Sequence, residues 1–189
     1  MTNLKDQIRK QMRLQLRSYD LNELKAFSKL AQEHLIHNKD FKDANSIGLY
    51  SSFDKEVETG LIFSDLIKRK KNIFFPKVQK KNRLIWSKVD GPNDLEHGYL
   101  GILEPKSNLQ IFDIDLIDLL VVPGLAFDIQ GRRLGKGMGF YDRSLKNYSG
   151  IRIALAYDFQ IIAEVPSHSH DEKVDIIITP TREIYCSKC

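Results

Sequence analysis

Cysteine is almost absent from this chain of 189 residues: the two it has, Cys186 and Cys189, stand near each other at the C-terminal end. That distribution excludes a disulfide-stapled framework and fits a reducing compartment. A C-x-x-C can be a redox pair or half of a zinc site. This one follows no helix-opening turn and has no second ligand pair, so Cys186 and Cys189 read as a reduced tail. No uninterrupted apolar run approaches the roughly 20 residues that span a bilayer, which excludes an integral membrane protein of the helical kind. Residues 1–6 are too charged to open a signal peptide and no apolar core follows them, so the expected location is the cytoplasm. Repeats and low-complexity segments are lacking as well. Nor is there a large excess of one charge. Lysine and arginine number 29 against 25 acids, leaving +4, which suggests anionic ligands without requiring nucleic acid.

What is present points to a folded enzyme-sized unit. Hydrophobic residues make up 42% and charged residues 29%, too much apolar surface for a disordered chain. The length fits one domain over residues 1–189. Residues 3–19 predict a helix, because Leu4, Ile8, Met12 and Leu16 recur at every fourth position. Lys5, Arg9, Arg13 and Arg17 form a basic ridge beside that seam. A solvated face is favoured for Arg13 and Arg17, and Lys5 and Arg9 stay open. Asp20 or Asn22 can cap a second helix with Leu24, Phe27, Ala31 and Leu35 inward. Thr59 can cap a third, through Leu61, Ile62, Leu66 and Ile67. It ends in Lys68-Arg69-Lys70-Lys71, which reads as cations at a helix C-terminus rather than a nucleic-acid patch. Strands are expected over 46–50, 73–78, 84–89, 116–122, 153–157 and 174–179, with a hairpin turn at 79–82. A loop is expected from 91 to 108. Strands alternate with helices, so the fold class is α/β, a single domain with a mixed, mostly parallel sheet flanked by helices and a ligand site at the strand carboxyl ends.

The most informative segment runs from Leu119 to Leu145. A buried strand leaves through Pro123-Gly124 into a loop with Gly131, Gly135, Gly137 and Gly139, and a helix begins within 139–142. Alternating glycines let backbone amides approach an anion, and the helix start adds its dipole. Arg133 and Lys136 place cations beside that nest, and Asp142 is set to hold magnesium on phosphates. The spacing fits neither a P-loop nor a dinucleotide fingerprint.

The segment P-G-L-A-F-D…G-R-R-L-G-K-G-M-G-F-Y-D-R resembles the signature of the 5-formyltetrahydrofolate cyclo-ligase family. Weaker matches keep the family's order: Lys5-Asp-Gln-Ile-Arg9, Glu56-Val-Glu-Thr59, Gly101-Ile-Leu-Glu-Pro105 and His170-Asp-Glu-Lys-Val-Asp175. The resemblance implies ATP-dependent, magnesium-assisted closure of 5-formyltetrahydrofolate, with or without a polyglutamate tail, to 5,10-methenyltetrahydrofolate. It runs through a phosphorylated formyl group and releases ADP and phosphate. It implies an ATP site of Lys5, Arg9, Arg133, Leu134, Gly135, Lys136, Gly137, Met138, Gly139, Phe140 and Tyr141, with Arg133 and Lys136 catalytic. Glu56, Lys136 and Phe140 would meet the folate, and Asp142 with Asp171 the metal. Three positions depart from the family. Leu100 stands where many members carry an aromatic residue, Met138 where many carry a basic one, and Phe140 where tyrosine is common.

Two other function classes compete. A nucleic-acid module would use the basic first helix and Lys68–Lys71, but aromatics interleaved with the cations are missing. A sugar-phosphate isomerase-like or transferase enzyme on a similar scaffold would need no ATP. Neither a nucleic-acid nor a membrane partner is expected.

Overall fold

A computed structural model describes residues 3–79 and 83–186 of the chain. Helix α1 spans Leu4–Ser18, capped by the Asn3 side chain at the Lys5 amide. Its seam is shorter than the pattern suggests: Met12 and Leu16 are buried, but Leu4 is 57% exposed and Lys5 is the buried residue of the first turn. A row at every fourth position winds by about 40° per step on a helix of 3.6 residues per turn. Leu4 therefore lies about 120° from Leu16, whereas Lys5 and Arg9 each lie within about 20° of it. The inward face passes from the apolar seam to the basic ridge toward the N-terminus.

Helix α2, Leu21–His37, is opened by Asp20 and Glu23 in a reciprocal box. Leu24, Ala31 and Leu35 are buried, and Phe27 packs on the core. A short α3, Lys39–Asp43, follows and leads into β1, Ser46–Gly48. Helix α4 spans Gly60–Lys68. Thr59 stands at its N-cap but does not cap it, because its hydroxyl donates to the Tyr50 carbonyl. Leu61 is also exposed rather than inward. The cations after α4 are tied down locally: Arg69 pairs with Asp65, and Lys71 donates to the Lys42 and Ala44 carbonyls that end α3.

Strands β2, Asn72–Gln79, and β3, Arg83–Lys88, pair antiparallel as the hairpin predicts, with residues 80–82 of the turn outside the described residues. The expected loop 91–108 contains a small hairpin of β4, Leu95–His97, and β5, Leu103–Pro105. Strands β6, Ile111–Phe112, and β7, Leu119–Val122, come next. The connection after β7 holds a second small hairpin, β8, Ala126–Phe127, and β9, Arg133–Leu134. Helix α5, Phe140–Ser144, precedes β10, Ile151–Leu155, β11, Ile176–Ile178, and β12, Glu183–Tyr185. The main sheet has the order β12-β11-β10-β7-β1-β2-β3-β6. Its central five strands are parallel, and β12 and β3 run antiparallel to their neighbours, giving the mixed α/β architecture expected.

Both faces are covered, and β7 shows how. Leu119 and Val121 enter the core beneath α1, α2 and α4, while Leu120 and Val122 enter a second core with Phe74, Trp86, Phe127 and Tyr148. That is the period of two written in side chains all fully buried. No helix among the described residues is long and apolar enough to cross a membrane.

At the amino ends of the strands, Asp118 accepts from the amides of Asn45 and Ser46 at 2.9 Å each, fixing β1 beside β7. Partial burial acts to raise its pKa, but the amides of Ser46 and Asn45 outweigh it and hold the carboxyl below its ordinary value. A depressed carboxyl contributes stability above its unfolded pKa and loses it as pH falls through the folded one. Asp118→Asn should lower the melting temperature at neutral pH, with the gap to wild type closing below about pH 4. A gap that does not change with pH would rule this out.

Candidate functional site

The site grows from the connection after β7. Fully buried Asp128 organises it, accepting from the Gln130, Arg132 and Val165 amides and from the Arg132 side chain at 2.7 Å. The β8–β9 hairpin anchored in this way carries Arg133. Leu134, expected in the ATP loop, is instead a strand residue with a buried side chain and a carbonyl bonded to the Leu125 amide. The loop proper runs from Gly135 to Gly139. Gly137 and Gly139 take φ of +108° and +64°, a left-handed region that side chains rarely enter. None of the amides of residues 135–141 donates a hydrogen bond among the described residues. Helix α5 is only five residues long, so these loop amides, more than a helix dipole, form the donor surface.

Four other parts of the chain meet this loop. From α1, Arg9 donates its Nε to the Gly135 carbonyl at 3.0 Å, and Lys5 pairs through its Nζ with Asp171. Arg13 and Arg17 are both exposed, as expected of a solvated face, and Arg13 also reaches the Lys136 carbonyl at 3.5 Å. From the segment after β1, Glu56 accepts the Lys136 ammonium at 2.6 Å and the Phe53 amide at 2.9 Å. Lys136 also lies 5.2 Å from the centre of the Phe53 ring. From α5, Asp142 accepts Arg133 at 2.7 Å. The segment before β11 brings the Glu172 amide to the same Asp142 oxygen at 3.4 Å, which sets Asp171 on the same wall.

The electrostatics follow from this pairing. The Arg133 side chain is 3% exposed, and its Nε is buried with no hydrogen-bond partner. Burial, and then the Glu56 charge, push the Tyr141 hydroxyl pKa well up against the opposing Arg133, so the phenol stays neutral. The Arg133 guanidinium sits 5.6 Å from the Tyr141 ring centre. Burial acts to raise Asp171, but Lys5 and the His168 amide outweigh it and hold the carboxyl below its ordinary value. No group of three metal-binding side chains stands together among the described residues. Asp142 and Asp171 are brought to one wall, but each already faces a cation.

Phe140 is partly buried, and Tyr99 meets its ring edge-on at 6.2 Å. Leu100 is 66% exposed on left-handed backbone, so the hairpin tip turns Tyr99 rather than residue 100 toward the loop. Met138 points its side chain into solvent at 47% exposure. The sequence reading missed Tyr99, Phe53, Asp128 and Arg143. Only Asp128 carried a local signal, the D-x-x-G turn at 128–131. A separate cleft of about 590 Å³ lies at the amino ends of β10 and β11, away from the loop. Cys186 lines it, and burial pushes that thiol up to about 11, which favours the protonated form. Cys189 lies outside the described residues.

Residues 1–180 match the 5-formyltetrahydrofolate cyclo-ligase family. A 5-formyltetrahydrofolate cyclo-ligase of Haemophilus influenzae is 33% identical over 153 residues, covering 77% of this chain and 82% of that one. A mouse protein of the same name is 28% identical, covering 90% and 91% of the two chains. The solved 5,10-methenyltetrahydrofolate synthetase of Aquifex aeolicus superposes with a TM-score of 0.88 at 30% identity, over 99% of this chain and 95% of that one.

Proposed function

The chain belongs to the 5-formyltetrahydrofolate cyclo-ligase family and is an enzyme of that kind; from that premise we propose that it closes 5-formyltetrahydrofolate to 5,10-methenyltetrahydrofolate at the expense of ATP, with magnesium. One observation carries the ATP part. A run of undonated loop amides lies beside a buried guanidinium whose Nε has no acceptor. Buried donors are paired in nearly all proteins, so the Arg133 Nε is a donor that an anion's oxygen would satisfy, and the solvent-facing amides of residues 135–139 beside it are open to the same anion.

The formyl oxygen attacks the γ-phosphorus as the bond to ADP breaks. N10 then adds to the formyl carbon, loses its proton, and phosphate leaves with the old carbonyl oxygen. This chemistry needs alignment and charge neutralisation more than covalent help. The amides of residues 135–139 and the cations Lys5, Arg9, Arg133 and Lys136 supply the second. Glu56 receives the pterin N–H edge, with Phe140 and Tyr99 as ring faces. In the free protein Lys136 and Glu56 neutralise each other, so a triphosphate that draws Lys136 away also frees Glu56 for the folate.

Magnesium would bridge phosphate oxygens to the protein and neutralise their charge. Asp142 fits that role, because its Oδ2 accepts no hydrogen bond among the described residues while Oδ1 is held by Arg133 and Glu172. Asp171 is the second candidate. Asp142→Asn should abolish the thermal shift that magnesium adds to an ATP analogue, from an unliganded melting temperature already lowered because the buried Arg133 loses its counter-charge. An Asn variant with the wild-type magnesium shift would assign Asp142 to Arg133 alone. The reaction itself is tested by the absorbance rise of methenyltetrahydrofolate on mixing protein, 5-formyltetrahydrofolate, ATP and magnesium. No rise, or a rise without ATP, would overturn the proposal.

A further inference from the structure

Three arginines grip the outside of the glycine loop, each through a backbone carbonyl. Arg9 donates to Gly135 at 3.0 Å, Arg13 to Lys136 at 3.5 Å, and Arg143 to Met138 at 2.5 Å. All peptide bonds here are trans. In a trans peptide the carbonyl of one residue and the amide of the next point in opposite directions. Carbonyls 135, 136 and 138 drawn toward the arginines therefore turn the amides of Lys136, Gly137 and Gly139 the other way. Those are three of the amides that donate to nothing among the described residues.

We propose that Arg143, with Arg9 and Arg13, is a positioning residue that turns the loop's amides toward the phosphates. This rests on the reading that the loop binds ATP. Arg13 and Arg143 do not act as phosphate cations in it; they act through the loop backbone. A loop of alternating glycines has the largest conformational freedom of any backbone, so without external ties its amides would point in many directions. Arg143 makes the shortest of the three bonds, and it lies one turn beyond Gly139, whose left-handed φ of +64° suits glycine. The bond at Arg13 is the longest of the three and contributes least.

Calorimetry with inorganic tripolyphosphate and with a non-hydrolysable ATP analogue tests the assignment on the full-length protein. Arg143→Met should weaken both ligands roughly 10- to 100-fold, the range for loss of a charged hydrogen bond. Arg143 is exposed, so folding should survive, with melting temperature and 5-formyltetrahydrofolate affinity unchanged. Arg143→Lys keeps the charge and one donor and should recover part of the loss. Wild-type affinity in the Met variant would overturn the positioning role and leave the ATP reading standing. Equal losses of tripolyphosphate and folate affinity would also overturn it, marking Arg143 as a general structural residue. A wild-type protein that binds neither tripolyphosphate nor the analogue would remove both readings.

Discussion

Replacing Asp128 with alanine should cost about 3–5 kcal/mol, the range for removing one partner of a buried ion pair. That is a large part of the 5–15 kcal/mol that holds a typical domain together. Asp128 is fully buried, and its two oxygens satisfy three backbone amides and the Arg132 side chain. Alanine would leave all four donors without an acceptor. Arg132 cannot escape by losing its proton. A guanidinium keeps its proton in proteins, and without Asp128 only Glu164, at 2.8 Å, would still face it. Asn keeps the shape and one acceptor oxygen, so Asp128→Asn should lose less, about 1–3 kcal/mol. Because the β8–β9 hairpin carries Arg133, nucleotide binding should fail at lower urea concentration than the global transition. Urea midpoints of the two variants measure the first effect, and a loss under 1 kcal/mol for alanine would show that the turn holds without its carboxylate.

The second large effect concerns turnover. Arg133→Met should lower kcat about 10³- to 10⁵-fold, the range for an arginine that neutralises a transferring phosphoryl group. Met fills the volume of the stem and removes every donor. Arg133→Lys retains the charge without the planar fork that now serves Asp142 with one arm and leaves Nε unpaired. It should recover only a minor part of the rate. Single-turnover experiments at saturating ATP separate this from weaker binding. A Met variant within tenfold of wild type would mean that the orphaned Nε serves no reacting oxygen.

How far the site could be read from sequence depended on how local each feature was. The glycine loop was legible because its chemistry lies within consecutive residues and its resemblance to one family is specific. The long helices and the buried β7 were legible because periods of 3.6 and 2 repeat often enough to register. The two small hairpins were not, since strands of two or three residues show no period. One of them turned Leu134 from a loop residue into a core residue. The winding of α1 decided which cations face inward, a matter of about 40° per step that a simple count by fours conceals. The pairs Lys136–Glu56, Arg133–Asp142 and Lys5–Asp171 could not be read at all, because no spacing along a chain specifies a partner across the fold.

The joining of α1 to the far end of the chain bears on how the molecule is made. Lys5 and Asp171 are 166 positions apart, and Arg9 and Gly135 are 126 apart. Closing loops of that length is among the costlier entropic steps in folding, and contacts of such sequence separation form slowly. During synthesis α1 emerges first and must wait for nearly the whole chain before its cations find their counterparts. Until then Lys5 and Arg9 lie beside the apolar seam of an unpaired helix. If the loop binds nucleotide as proposed, that binding should return on refolding only once α1 has docked and Arg9 has reached the Gly135 carbonyl.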